Sequence, residues 1–445
     1  MSYPRLGALL AGFCFTFFTI PAMADSHARI VRLSYVEGDV QMDRNVGQGY
    51  EKAIINVPIT EGTKLRTRLD GLAEVEFEDG STLRITPDSQ IEFSQLSLKD
   101  SGSRVSLVSV KHGTAYVNFA GTSGEDFSLT FASQSVPLTQ AARLRLDVGK
   151  TSARLAVFSG AVQAEGPAGK VDVAKKQSVT FDLTDPNDFT LAKNVKGEPY
   201  DSWDKQQDQY HDRYLKAQSY NPSPYGYGVS DLNYYGSFIM APGIGSCWQP
   251  YFMSTAWDPF MNGAWLWSGA GYSWVSSYPW GWLPYTYGSW NYFSGGWCWN
   301  PGSNWMGYNG FPVVVNPPVG FHPPKPPIKP AHTIVAVNRG PSAVLARSSG
   351  DLVIARGSAG LGIPRGSVSN LNRLSVRVQE KGFVSQSPRM EFSSPAFSGA
   401  NHGVAAHSGP AGEAYHSASV GMSNASSAGS MHSSGSSASA AGAHK

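Results

Sequence analysis

Two aspartates are the first residues whose type could support chemistry, because they stand in an otherwise uncharged region. Asp231 and Asp258 are the only charged residues between positions 221 and 320. Glycoside hydrolysis uses two carboxylates placed across the bond that is cleaved. However, Asp258 precedes Pro259, which is typical of a turn, and Asp231 is interpreted as a turn or helix-cap residue. We therefore predict that this pair is not catalytic.

Other catalytic signatures are missing from the sequence. It contains no Gly-x-Ser-x-Gly elbow, phosphate-binding loop, HExxH motif or EF-hand loop. The many acidic residues of the N-terminal part fall on the polar face of alternating strands, where solvent exposure is expected. The prediction is a protein that is not an enzyme and that has no cofactor and no metal site.

Aromatic rings are the second group with chemical potential, since exposed rings can bind sugars or lie at a membrane interface. Trp-x-Trp pairs occur three times between residues 265 and 299, and skipping one residue places both rings on one side of a strand. The candidate ligand-binding rings are Trp265, Trp267, Trp280, Trp282, Tyr285, Tyr287 and Trp290.

The same rings could instead form a hydrophobic core. Between residues 254 and 305 the only Leu, Ile or Val residues are Leu266, Val275 and Leu283. Each buried aromatic removes about 150–250 Å² from water, so most rings are expected to be structural. A minority that remains exposed could form a binding face.

The N-terminus predicts export. Arg5 precedes an apolar run of 15 residues, and the sequence Ala-Met-Ala ends at Ala24, which is the pattern of a signal peptide over residues 1–24 cleaved after Ala24. The run is shorter than the roughly 20 residues of a membrane helix, and no transmembrane span is expected in the mature chain. The predicted location is periplasmic or extracellular. There, Cys247 and Cys298 are expected to form a disulfide.

These residues must be positioned by a mainly β fold. Residues 28–190 alternate with a period of two, as in "AEVEFED", where Val75 and Phe77 share one face and the glutamates share the other. Asp-Gly pairs at residues 70–71 and 79–80 indicate tight turns. The pattern predicts a sandwich or a short β-roll.

The segments "GTKLRTRLDGLAEVEFEDGSTLRITPDSQIEF" and "LRLDVGKTSARLAVFSGAVQAEG" resemble a FecR domain, an extracytoplasmic β domain named for an iron-citrate signalling protein. The resemblance departs from the family at residues 140–148. Signalling members of that family carry an anti-sigma segment and a membrane helix before this domain. Neither is seen here, and a sigma-factor role is not expected.

A second resemblance covers the aromatic region, residues 221–310. "DLNYYGSF", "YSWVSSYPWGWLPYTYGSW" and "NPGSNW" are similar to an uncharacterised Trp-rich domain that follows FecR domains in exported bacterial proteins. That family commonly has His and Arg where this chain has Thr286 and Ser289, and the resemblance implies no activity. We predict a β-meander of three hairpins, linked by the disulfide.

The remaining segments are connectors. Residues 198–220 predict one connecting helix with an aromatic stripe, residues 311–330 a proline-rich linker, residues 331–385 a small basic β module, and residues 386–445 a disordered tail. The net charge of +2 gives no indication of nucleic-acid binding. The expected role is a non-catalytic binding or assembly module of the cell envelope whose partner is a protein or a polysaccharide. Carbohydrate or peptidoglycan binding, and association with a membrane surface, are the alternatives.

Overall fold

A computed structural model describes residues 29–216, 226–268, 271–305, 310–328 and 333–388. The predicted signal peptide with Ala24 and nearly all of the predicted tail lie outside these residues. Of the described residues, 46% are in strands and 11% in helices, which confirms the mainly β fold class. None of the described helices is long and apolar enough to cross a membrane.

Seventeen strands of the N-terminal part form two sheets around one hydrophobic core. They are β1 (Val31–Glu37), β2 (Val40–Asp43), β3 (Glu51–Lys52), β4 (Pro58–Ile59), β5 (Lys64–Thr67), β6 (Leu72–Glu76), β7 (Thr82–Ile85), β8 (Gln90–Leu98), β9 (Arg104–Phe119), β10 (Glu125–Phe131), β11 (Gln134–Leu138), β12 (Ala142–Val148), β13 (Ser152–Ser159), β14 (Ala161–Gly166), β15 (Gly169–Ala174), β16 (Ser178–Asp182) and β17 (Phe189–Ala192). We call this part the sandwich.

One long strand joins the two sheets. The first sheet has the order β3-β2-β5-β8-β9-β10-β11-β14-β15, and the second has the order β4-β1-β6-β7-β9-β12-β13-β16-β17. Strand β9 passes from the first sheet to the second near Gly113. This glycine has φ +88°, and a Cβ there would lie 2.3 Å from the Ser89 Oγ, so only glycine fits at the crossing.

Two helices follow the sandwich. Helix α1 (Asp201–Leu215) buries Trp203 and Tyr210, and the short helix α2 (Val229–Tyr235) is buried along its whole length. The aromatic stripe expected on the connecting helix therefore faces the protein interior. Two further helices, α3 (Leu283–Thr286) and α4 (Leu371–Lys381), lie where the sequence predicted only strands and turns.

The aromatic region forms two sheets rather than one meander. The first has the order β18-β19-β23-β22-β24 and the second the order β21-β20-β25. The strands are β18 (Gly236–Ala241), β19 (Gly245–Pro250), β20 (Asn262–Trp267), β21 (Tyr272–Ser276), β22 (Tyr287–Phe293), β23 (Gly296–Trp305), β24 (Val314–Val315) and β25 (Ile334–Asn338). The hairpin β20–β21 lies in the second sheet, where β25, from beyond the proline-rich segment, pairs with β20.

The disulfide is present between the strands of the first aromatic sheet. Cys247 on β19 and Cys298 on β23 are bonded, with their Cα atoms 5.7 Å apart. The two strands also pair directly at Trp248 and Trp299.

The segment expected to be a small β module is not independent. Strands β26 (Val344–Leu345), β27 (Leu352–Ala355) and β28 (Phe383–Gln386) form a small sheet, and α4 packs on it. The buried apolar residues of α4 and β27 belong to the same core cluster as the tryptophans. Helix α4 starts with the Asn370 side chain accepting from the Arg373 N–H at 2.8 Å, and it ends at Gly382 with φ +82°.

Candidate functional site

The candidate ligand-binding rings lie almost entirely in the interior. Six of the seven, Trp267 being the exception, are no more than 5% exposed. The Trp280 indole donates to the Ala359 carbonyl at 2.7 Å and stacks on Tyr278 with 4.9 Å between ring centroids. Of the twelve tryptophans, ten are buried, the exceptions being the half-buried Trp267 and Trp305, whose ring is not among the described side chains. The rings form most of a core that is completed by Leu, Ile and Val residues from neighbouring segments, which is the structural role predicted for most of them.

The two aspartates of the aromatic region do not face each other across a cleft. The half-buried Asp258 accepts the Phe260 N–H at 2.8 Å, which agrees with the predicted turn, and burial raises the pKa of this carboxyl. Asp231 is fully buried, and its carboxylate forms ion pairs with Arg32 and Arg365, each at 2.7 Å. It also accepts a hydrogen bond from the Tyr210 hydroxyl at 2.9 Å. The prediction that Asp231 serves as a turn or cap residue is therefore wrong, because its carboxylate is an ion-pair acceptor.

The glutamates of β6 also differ from the prediction. They alternate with Val75 as expected, but Glu74 is 0% exposed and Glu76 is 2% exposed, because α1 and α2 cover the face that a single sheet would leave in water. Glu74 accepts from Arg84 and Arg365, each at 2.7 Å. This face of β6 is polar because its glutamates pair with buried arginines, and not because it is exposed to solvent.

His211 of α1 completes the environment of Glu74. Its Nε2 lies 3.0 Å from the Glu74 carboxylate, and its Nδ1 lies 2.8 Å from the Ser230 hydroxyl. Burial alone would raise the pKa of Glu74, but His211, Arg365 and Arg84 together hold it well below its ordinary value. Glu74 is therefore ionised in the folded protein.

Arg365, from a distant part of the chain, pairs with both Glu74 and Asp231. Its Nε donates to Asp231 at 2.8 Å and its Nη1 to Glu74 at 2.7 Å, while its Nη2 donates to the Ser34 carbonyl at 2.6 Å. It thereby ties the sandwich to α2 and to the loop before α4. The sequence offered no signal for this residue beyond a lone arginine between Pro364 and Gly366.

An acidic stripe on α1 was also missed. Asp201, Asp204 and Asp208 are spaced so that they share one helix face. Arg84 contacts Asp204 and Asp208, each at 2.7 Å, and Arg145 contacts Asp201 at 2.6 Å. The i, i+3, i+7 spacing of the aspartates indicates a helix face that can contact basic residues. The prediction for this helix included only its aromatic stripe.

Arg143 also contacts Asp204 and Asp208. Nine other side chains form one continuous set of ion pairs and hydrogen bonds between the sandwich and the elements that follow it. We call them the seam network: Arg32, Glu74, Glu76, Arg84, Asp204, Asp208, His211, Asp231 and Arg365. Each carboxylate of the network has at least one guanidinium partner. Removing one partner of such a pair would leave an uncompensated buried charge. No group of three or more His, Cys, Asp or Glu residues suited to a metal ion occurs in the described part of the chain.

A groove of about 550 Å³ lies next to the network. Its lining is largely apolar and includes Tyr35, Tyr235, Leu345 and Ile363. One wall is the end of β1, where residues 35–37 pair with β6.

Comparisons with known proteins agree with the two resemblances. A family model described as FecR protein matches residues 63–163, from β5 to the start of β14. A family of unknown function, DUF6600, matches residues 229–315, from the first residue of α2 to the last of β24. A comparison with functionally characterised proteins gives no match.

Two crystal structures of proteins assigned as anti-sigma factors from Parabacteroides distasonis ATCC 8503 are similar to part of the chain. The first, at 1.65 Å resolution, is 13% identical with a TM-score of 0.27 and covers 32% of this chain and 63% of its own. The second, at 2.50 Å, is 12% identical with a TM-score of 0.26 and covers 36% and 68%. This chain thus spans less than two thirds of the first relative. Together, the two family matches show that the chain carries a FecR domain at residues 63–163 followed by a DUF6600 domain at residues 229–315.

Proposed function

We propose that this is an exported, non-catalytic protein of the cell envelope in which the FecR and DUF6600 domains act together as one rigid binding or assembly module. The seam network is the observation that carries the proposal. Arg32 and Arg365 link Asp231 of the DUF6600 domain to Glu76 and Glu74 of the FecR domain. All described residues lie in one compact unit.

The energetics of the network favour a structural role. Ionised side chains are costly to remove from water, and their attraction offsets that cost only when each is paired and hydrogen-bonded. Loss of one partner leaves an uncompensated buried charge. The network therefore specifies one relative position of the two domains, and a preformed composite surface lowers the entropic cost of binding a partner.

We infer that the partner is a protein, and that an extended segment of it lies in the groove. The end of β1 forms one wall of the groove, and the apolar lining offers contacts for the side chains of an extended segment. The buried rings weaken the carbohydrate alternative and the membrane-surface alternative, because both need exposed aromatic faces.

The test is retention of the purified chain on isolated envelope fractions. We expect saturable retention that disappears after protease treatment of the fraction and survives digestion of peptidoglycan. Loss on glycan digestion would instead support the carbohydrate alternative, and retention on protein-free liposomes would support the membrane alternative. Glycan hydrolysis that vanished in Asp258→Asn would overturn the non-catalytic assignment.

The groove has a matched pair of variants. Leu345 is 62% exposed in the groove, and Ile328 is 100% exposed elsewhere. Leu345→Glu should abolish retention because it places a charge where the partner's apolar side chains lie, while Ile328→Glu should not change it. Equal retention by both variants would remove the groove from the proposal.

Export is tested separately. In cells, the mature chain should begin at Asp25 and should be recovered from the periplasmic or extracellular fraction. Intact Met1 on a chain in the cytoplasmic fraction would contradict this part of the proposal.

A further inference from the structure

A second concave surface lies at the start of α4, on the part of the chain that follows the DUF6600 domain. It encloses about 520 Å³. Most of its lining is polar and includes Ser369, Asn370, Arg373, Arg377 and Gln386. No family match covers these residues.

The two arginines of this surface differ from those of the seam network. Arg373 and Arg377 are exposed and are four residues apart, so they project from the same face of α4. Neither forms an ion pair with any described residue, whereas Arg84 and Arg365 each contact at least two carboxylates. Like charges at this spacing destabilise a helix.

Two acidic residues lie in the elements around this surface, Asp351 just before β27 and Glu380 on α4. Asp351 accepts the hydroxyls of Ser385 and Ser387, at 3.2 and 2.7 Å. Glu380, the one acid on α4, is not among the residues that line the surface. The surface is therefore a concave site with two unneutralised guanidinium groups above a floor that includes Leu374.

We propose that this surface, which we call the α4 site, binds a phosphate group. Guanidinium groups donate two parallel N–H bonds to phosphate oxygens, and two such forks on one helix face can hold a dianion or a phosphodiester. The amide of Gln386 and the hydroxyl of Ser369 line the same surface and supply neutral donors. The phosphate could be a free ion or the headgroup of an anionic lipid, and the chemistry recognised is the same.

The experiment uses the mature chain. Inorganic phosphate is titrated at constant ionic strength, with chloride as the balancing anion, and binding is followed by calorimetry and by the shift in Tm. In parallel, vesicles of phosphatidylcholine with and without phosphatidic acid are tested by flotation. Binding of phosphate alone identifies a small phosphate ligand, and flotation that needs phosphatidic acid identifies a lipid headgroup. Either result supports the site only if it depends on the arginine pair.

Variants that remove the same number of charges test whether binding depends on Arg373 and Arg377. The double variant Arg373→Ala/Arg377→Ala should weaken binding at least tenfold, while Arg347→Ala/Arg356→Ala, which removes two exposed arginines outside the site, should change it less than twofold. Arg373→Lys/Arg377→Lys keeps the charge without the fork and should bind with intermediate strength, which controls for folding. The proposal is overturned if neither phosphate source binds beyond the chloride control, or if both alanine variants lose binding equally.

Discussion

Arg365 donates hydrogen bonds to two buried carboxylates and to a backbone carbonyl, and it is 3% exposed. Its position shows how a single side chain can join segments that are more than 300 residues apart, since Ser34 and Arg365 are 331 positions apart in the chain. The charges around it are balanced by pairing and not by water. Individual changes here should therefore be costly.

Arg365→Met is the first prediction. Methionine fills a similar volume but leaves Asp231 and Glu74 with fewer donors, so we expect the free energy of unfolding to fall by about 3–5 kcal/mol. Urea denaturation followed by circular dichroism measures the loss. Arg356→Met, at an exposed arginine, should stay within about 0.5 kcal/mol of the wild type. A similar loss in the two variants would show that the buried pairs are not responsible.

Glu125 gives a pH dependence with a defined sign. Burial and the neighbouring Asp79 raise the pKa of Glu125 to about 7, despite Arg104 and Arg29, from an ordinary value of 4.5. Between these two values the folded state binds more protons than the unfolded state, so this group makes stability fall as pH rises from about 4.5 to 7.

Glu125→Gln should remove that component. Glutamine cannot ionise, and the difference in unfolding free energy between pH 5 and pH 7.5 should shrink by about 1–2 kcal/mol, a figure reduced for partial solvent screening. The measurement is urea denaturation at both pH values. An unchanged pH profile would mean that Glu125 titrates normally in the folded protein.

Helix α4 shows how an element can be misread from its pattern. In "LSVRVQEK" the apolar residues Leu374, Val376 and Val378 alternate as in a strand, but Leu371, Leu374 and Val378 also fit one helix face. The Asn370 cap and Gly382 favour the helix over a strand, because they satisfy backbone groups at the two ends of the helix. Val376 is then exposed while Val378 is buried.

The helix predicts unequal effects for two identical substitutions. Val378→Ala should cost about 2 kcal/mol because it leaves a cavity in the core. Val376→Ala should be neutral or slightly stabilising, because Val376 is 56% exposed and alanine favours helix. In a strand, both valines would face the same side and the two costs would be similar. Thermal and urea unfolding of the two variants distinguishes the cases.

The disulfide between β19 and β23 should contribute to the stability of the aromatic region. Cys247 and Cys298 are 51 positions apart, and closing a loop of this length stabilises by about 4 kcal/mol on the chain-entropy model, with measured values typically about 2–4 kcal/mol. The Cys247→Ser/Cys298→Ser variant should lose stability in that range. Equal unfolding free energies with and without reductant would contradict the prediction.

The whole molecule should unfold as one unit if the seam network couples its parts. The chain has no tryptophan before residue 203, so tryptophan fluorescence reports the helices and the aromatic region, while far-ultraviolet circular dichroism also reports the sandwich. In the wild type the two transitions in urea should coincide. In Glu74→Gln, which weakens the contact with both Arg84 and Arg365, they should separate. Transitions that remain superimposed would show that the domains are coupled by other contacts.

Local patterns in the sequence were sufficient for several features of the fold. The two-residue period of the sandwich, the Cys247–Cys298 pair and the use of tryptophan as core in a region poor in aliphatic residues each depend on composition and spacing along a short stretch. The FecR and DUF6600 resemblances depend on local motifs of the same kind.

Tertiary structure alone decided which polar face is buried. Glu74 and Glu76 have the alternation of a solvent-facing strand, and only the packing of α1, α2 and Arg365 against β6 turns them into ion-pair partners. The partners of a buried charge come from distant positions, and a local pattern carries no information about them. For the same reason the burial of individual rings and the pairing of β25 with β20 followed from the assembled molecule and not from spacing.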